Sequence, residues 1–195
     1  MILQWSWINV LGGMIITLLL IPNIVYALKR QGEKNLCENR LMNILEQVGR
    51  YGSMLCMIVC FGESGFGFPS LADFYCYIVG SAVLLSAYWI AWGLYFRRAG
   101  VQTFVRGKGP VAIFVAGREN VAGIARLKWA LAILPCCLFL LCGITLRDIP
   151  LILFAVLFAV GHPYVTYRNI VSRTYGEKER SKVSGTDGRR QDRDQ

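Results

Sequence analysis

In a chain of 195 residues, 55% are hydrophobic and only 17% are charged. An ordinary soluble domain carries about 25% charged residues, so this balance excludes a disordered, fibrous or nucleic-acid-coating protein. The formal net charge of +9 at pH 7 is what basic loops beside membrane spans and anionic headgroups already require. No groove-reading motif accompanies it, and no nucleic acid is expected as a partner.

A helix needs roughly 20 predominantly apolar residues to cross a hydrocarbon core about 30 Å thick. Charge-free windows fall at 1–28, 51–62, 74–96, 129–146 and 149–167. The second is short and must recruit residues 44–48, which brings Glu46 and Arg50 to the membrane edge. The pattern predicts an all-α membrane protein, a bundle of five transmembrane helices over residues 1–175. Its spans are expected at about 3–28, 44–62, 73–96, 127–146 and 149–168.

The first span contains Gly12-Gly13 and Pro22, and the proline is expected to bend its final third. Val25-Tyr26-Ala27 looks like a small-residue cleavage site, but the basic residues Lys29 and Arg30 follow the apolar stretch and none precedes it. An uncleaved anchor is therefore expected. A short polar connection spans 29–43. Gly62, Gly65, Gly67 and Pro69 end the second span in a glycine-rich loop. Between the third and fourth spans, Gly107, Gly109 and Pro110 break the chain, and the apolar run 111–116 is too short to cross and is expected at the interface. Residues 176–195 consist almost wholly of charged, polar and glycine positions, so a disordered charged tail is expected.

Orientation follows from lysine and arginine, which are retained on the cytoplasmic side. Five spans place every basic residue but Arg147, out of 21, in segments on one face: 29–50, 97–128 and the tail from Arg168. The amino terminus is thus expected outside and the carboxyl terminus in the cytoplasm, in a multi-pass protein of the cell membrane. Trp5 and Trp7 at one face, and Tyr26, Tyr88, Trp89, Trp92, Tyr95, Trp129, Tyr164 and Tyr167 towards the other, sit where amphipathic rings meet headgroups.

Few residues carry chemistry. His162 is the sole histidine, in Gly161-His162-Pro163-Tyr164 near the inner end of the fifth span. An ionisable group at membrane depth is a functional candidate; the plainer reading is a helix-end histidine bonded to a carbonyl that Pro163 frees. Glu46 and Arg50 stand four apart with the acid first, the favoured order for a helical ion pair. They could set the depth of the second span or gate a cytoplasmic mouth. His162, Glu46, Arg50, Tyr164 and Tyr167 are the candidate ligand or ion-pathway residues, with His162 expected to face the bundle within reach of Glu46 or a tyrosine hydroxyl. Of the seven cysteines, Cys60, Cys76 and Cys142 share the outer half and could either pair or simply pack. One histidine with no acidic cluster gives no metal site. No catalytic constellation is complete and no cofactor is implied.

Two resemblances bear on function. His162-Pro163-Tyr164 is similar to the Arg-His-Pro-x-Tyr motif of membrane methyltransferases acting on phospholipids or prenylcysteine. Here Gly161 replaces the arginine, the tyrosine comes one place early, and the acidic aromatic segment is missing. The segments Leu45-Glu46-Gln47-Val48-Gly49-Arg50-Tyr51-Gly52, the Tyr88-Trp89 region and Gly161-His162-Pro163-Tyr164-Val165-Thr166-Tyr167-Arg168-Asn169 resemble a group of small bacterial multi-pass integral-membrane proteins. That second resemblance implies an arrangement of spans and no mechanism.

Three functional classes follow. The first is a non-enzymatic scaffold or accessory subunit, whose partners would be membrane lipids and other membrane subunits or further copies of itself. The second is a small transporter or channel subunit with a polar cytoplasmic mouth. The third is a methyltransferase-like membrane enzyme.

Overall fold

The computed structural model describes residues 8–29, 37–59, 68, 70–105 and 110–191, and the side chains of 8–28, 37–59, 68, 70–98 and 123–172. Among these described residues it holds five helices: α1 (Val10–Lys29), α2 (Arg40–Ile58), α3 (Leu71–Val105), α4 (Pro110–Leu146) and α5 (Ile149–Gln191). Four of them contain a segment long and apolar enough to cross a membrane: Val10–Leu28, Leu71–Arg98, Gly123–Leu146 and Ile149–Ser172. The exception is α2, where Arg40, Asn43, Glu46, Gln47 and Arg50 interrupt the apolar residues.

Local chemistry sets the helix ends. Asn39 caps α2, its side-chain oxygen accepting from the backbone of Leu41 at 3.1 Å and Met42 at 3.3 Å. Ser70 and Asp73 cap α3 reciprocally: the Ser70 hydroxyl accepts from the Asp73 N–H at 3.1 Å and donates to its carboxylate at 2.8 Å. Asn9 caps α1 by accepting from the Gly12 N–H at 2.8 Å, while its own N–H donates to the Ile58 carbonyl at 2.7 Å. That bond, with the Ile8–Val59 antiparallel bridge, staples the start of α1 to the end of α2. Such caps satisfy donors that a helix cannot satisfy internally.

The link from α4 to α5 is a two-residue turn. Arg147 takes the left-handed conformation at φ 52°, and the Asp148 N–H donates to the Gly143 carbonyl at 3.0 Å. The Asp148 carboxylate then accepts from the Leu151 N–H at 3.1 Å and so begins α5.

Several boundaries depart from the expected spans. The α1 helix begins at Val10, behind its Asn9 cap, and α2 begins at Arg40 rather than 44. The run 111–116 is the first part of one continuous helix that reaches Leu146. Pro22, Pro135 and Pro163 all lie inside helices. α5 runs on to Gln191, through much of the stretch for which composition predicts disorder; the Lys, Arg and Glu there are good helix formers. Trp5, Trp7, Cys60 and the glycine-rich stretch 60–67 lie outside the described residues.

Packing pairs α2 with α5, α3 with α4 and α4 with α5, while α1 touches α2 and α3. The tightest pair is α2 with α5, which run antiparallel: Gly52 meets Phe154, Gly49 meets Phe158 and Gly161 meets Glu46. A Cβ on Gly161 would lie 2.6 Å from the Glu46 backbone nitrogen, and one on Gly49 would strike the Phe158 backbone. Close backbone approach through small residues is how helices associate where no hydrophobic driving force separates them from lipid. Tyr77, Phe139, Met57, Leu138, Leu151 and Cys142 fill the interior.

The outer faces are apolar. Met14, Leu18 and Ile21 on α1, Tyr75, Val79 and Val83 on α3, and Leu153, Val156 and Val160 on α5 are all exposed. The α2 helix is inverted relative to a soluble amphipathic helix. Its buried face is Glu46, Gly49, Ser53, Cys56 and Met57, while Leu41, Ile44, Val48, Tyr51 and Leu55 are exposed at alternating spacings of three and four. Three- and four-residue steps line one helix face, so α2 turns an unbroken apolar stripe outward.

Candidate functional site

The buried face of α2 carries an acid. Glu46 is 5% exposed, and its carboxylate accepts from two sides. Arg50, one turn along α2, pairs with Glu46 Oε1. From α5, His162 Nδ1 lies 2.9 Å from the same oxygen. An ionised carboxylate only accepts, so Nδ1 is the donor in this contact. The guanidinium Nη2 also stands 3.4 Å from His162 Nδ1. Phe158, one turn before His162 on α5, lies under the imidazole with ring centres 4.8 Å apart and planes 15° from parallel. The Arg50 guanidinium sits 5.8 Å from the same Phe158 ring.

This geometry depends on the glycines. Because Gly161 has no side chain, the α5 backbone rests on the α2 backbone at Glu46. The adjacent His162 then reaches the carboxylate directly.

The cluster stands in the wall of a cavity of about 540 Å³ to which all five helices contribute. Asn23 and Tyr26 come from α1, Tyr88, Trp92 and Tyr95 from α3, Lys128, Pro135 and Phe139 from α4, and Thr166 and Asn169 from α5. Tyr26, Trp92 and Tyr95 make an aromatic wall, with Trp92 centred 5.2 Å from Tyr26 and 5.5 Å from Tyr95. Tyr88 is buried beside them, its ring centred 6.3 Å from that of Trp92. The cavity lies towards the end of the bundle where α1 finishes and α2 begins, beside the basic segments. A space of this size, mostly apolar with a few convergent polar groups, has the character of a small-molecule site.

Three of the expected residues come together: Glu46, Arg50 and His162. Tyr164 and Tyr167 do not join them. Both are exposed, because they sit on the outward side of α5, and Tyr167 instead approaches the Trp129 ring at 6.1 Å. Cys76 and Cys142 are free thiols, Cys76 on the exposed side of α3 and Cys142 buried 3.6 Å from the Ser81 hydroxyl. Cys142 is packed in the core, and the two thiols are not bridged. Pro163 does not draw His162 to a freed carbonyl, since the imidazole turns across to α2. Among the described residues, no group of three or more histidine, cysteine or acidic side chains could hold a metal ion.

Sequence reasoning missed Phe158, Lys128 and Asn23. Phe158 and Lys128 carry no sequence signal, one being an apolar residue in a span and the other a loop-end cation. Asn23 did carry one, as a polar side chain inside a charge-free window. Comparison with protein-family models, curated proteins and solved structures finds no match for this chain.

Proposed function

We propose that this is a five-span protein of the cell membrane, amino terminus outside, whose inner cavity binds a small solute. That is the transporter or channel-subunit class rather than a scaffold. The observation that carries it is the buried Glu46, shared by Arg50 and His162 in the wall of a cavity built by all five helices. Burying charge is costly, and a scaffold has no use for three ionisable groups beside open space. Five spans are few for a transporter, so the transporting unit would contain more than one copy.

The fifth span is α2. It lies antiparallel against α5 at the depth of the segment Ile149–Ser172, and its outward stripe from Leu41 to Leu55 suits lipid. Its polar residues Glu46 and Ser53 are turned inward. Alternating helix directions then bring 29–50, 97–128 and the tail from Arg168 to one side, where their positive charge requires the cytoplasm.

The test is labelling of Thr166→Cys, a cavity-lining position one turn beyond His162, in a chain otherwise free of cysteine. A membrane-impermeant maleimide should react from the cytoplasmic face of inverted vesicles. It should not react from the outside of right-side-out vesicles. Reaction from neither side would overturn the open cavity, and reaction from outside would overturn the orientation.

A further inference from the structure

Arg50 and His162 compete for the same two partners. Both direct a donor at one oxygen of Glu46: Arg50 Nη2 pairs with Oε1, and His162 Nδ1 lies 2.9 Å from it. Both also meet the ring of Phe158, which stacks under the imidazole at 4.8 Å between centres and stands 5.8 Å from the guanidinium carbon. The two donors are themselves only 3.4 Å apart. Arginine is always charged, so Glu46, Arg50 and a neutral His162 sum to zero. A neutral imidazole carries a hydrogen on one ring nitrogen only. With Nδ1 donating to Glu46, Nε2 is the atom at which a further proton is gained or lost. Its gain sets two cations against one buried carboxylate oxygen, and like charges this close repel strongly beside low-dielectric walls.

One of the two must then yield, and the geometry points to Arg50. Gly161 seats the α5 backbone on α2 at Glu46 and so holds the adjacent His162 in place. Arg50 has a long side chain that lines the cavity and keeps 31% of its surface exposed. The other titratable or charged groups around the pair are Tyr26 on α1, Tyr51 on α2, Tyr88 and Tyr95 on α3, and Lys128 and Cys136 on α4. Lys128 has a partner of its own and carries no part of the exchange. Among these side-chain types, imidazole is the one that ordinarily changes charge between about pH 5 and 8.

Resting on the solute-cavity reading above, we propose that the cavity wall is a proton-binding site, in which a proton taken up at His162 Nε2 transfers Glu46 to the imidazolium and releases the Arg50 guanidinium into the cavity. A hydronium ion supplies the proton and leaves water, one N–H bond forms, and the cluster passes from zero to one positive charge. Loss of the proton restores the Glu46–Arg50 pair. Protonation thereby changes what the cavity presents to a solute, and by linkage a bound solute changes the affinity for the proton.

The chain has a single histidine, so labelling histidine with nitrogen-15 gives one imidazole to follow. The full chain, purified on a tag without histidine and placed in nanodiscs, is observed by ring-nitrogen NMR across about pH 5 to 8. One proton should bind reversibly within that range. Arg50→Gln removes the rival cation, and its proton affinity should be about tenfold higher, the size of one pKa unit. A second readout leaves the cluster intact and stands even where Arg50→Gln does not fold. In the Thr166→Cys chain, rates of modification by a negatively and a positively charged methanethiosulfonate are compared at the two ends of the range. The negative reagent should gain severalfold on the positive one towards acid, and adding His162→Gln should abolish that gain. An imidazole spectrum unchanged across the range overturns the inference. So does an Arg50→Gln protein with the parent's proton affinity, or a reagent ratio that ignores pH or keeps its pH dependence in His162→Gln. All of these leave the solute cavity standing. The cavity falls separately if neither reagent modifies Thr166→Cys, and the imidazole spectrum then still judges the proton site.

Discussion

His162 Nδ1 lies 2.9 Å from Glu46 Oε1, across an interhelical contact that spans 116 positions of sequence. The contact exists because the neighbouring Gly161 lets the α5 backbone touch α2 at Glu46. A methyl group there would meet the Glu46 nitrogen at 2.6 Å and its Cα at 2.9 Å, and backbone atoms cannot turn aside as a side chain can.

Gly161→Ala should therefore lower stability by about 1–3 kcal/mol, the usual cost of overpacking a tight contact. It should also pull His162 away from Glu46. Gly93→Ala provides the control, since a Cβ at that position meets nothing within 4 Å and alanine favours the helix. Unfolding in detergent measured by steric trapping should rank Gly93→Ala at or above the parent and Gly161→Ala below it. Equal stabilities would mean that α2 and α5 are not in backbone contact.

Glu46 and Arg50 should be energetically coupled. Glu46→Ala leaves the guanidinium without its acid, and Arg50→Ala leaves a buried carboxylate with only His162. Each single change should cost more than a surface pair would, because breaking a buried pair strands a charge. The double variant should cost less than the sum of the two, with a coupling of about 1–3 kcal/mol. A thermodynamic cycle on these four proteins gives the number directly, and additive losses would show that the pair is solvent-screened.

How much of this site was readable in advance depends on how local each contact is. Glu46 and Arg50 stand four apart on one helix, and that spacing alone predicts their pairing. His162 was expected to face inward because an ionisable side chain facing lipid is expensive, and it does. Its choice of Glu46 over a tyrosine hydroxyl hangs on Gly49 and Gly161, whose role appears only when α2 and α5 are set side by side. Tyr164 and Tyr167 lie apart from the cluster for the same reason. Their closeness to His162 in sequence says nothing about which side of α5 they occupy, and both turn outward. The helices themselves were legible from charge-free windows, but their ends were set by Asn9, Asn39 and Asp148, caps that hydropathy does not register.

The turn between α4 and α5 gives a prediction of opposite sign. Arg147 holds φ at 52°, which costs a residue with a side chain about 1–2 kcal/mol that glycine does not incur. Arg147→Gly should raise stability, less the greater entropy that glycine loses on folding. Asp148→Ala should lower it by about 0.5–2 kcal/mol, since the Leu151 N–H loses its acceptor. Thermal melting of the two variants against the parent checks both signs.

The inverted face of α2 can be tested without any ligand. Spin labels at Val48 and Leu55, both exposed, should collide with oxygen, which concentrates in lipid, more than with a water-soluble nickel chelate. A label at Ser53, fully buried on the opposite face, should be shielded from both. Nickel collisions exceeding oxygen collisions at Val48 and Leu55 would put α2 outside the bilayer.

The separation of Glu46 from its histidine also governs how the protein is made. At synthesis rates of about 5–20 residues per second, the ribosome needs on the order of ten seconds to advance from one to the other. Throughout that interval α2 has emerged with its acid and without α5 to cover it. Arg50, already synthesised one turn later, is the partner at hand, so the pair can neutralise the young helix before the bundle exists. Burial of that acid against α5 therefore waits for the last helix to be made, and the α2–α5 contact is among the final ones this small bundle can form.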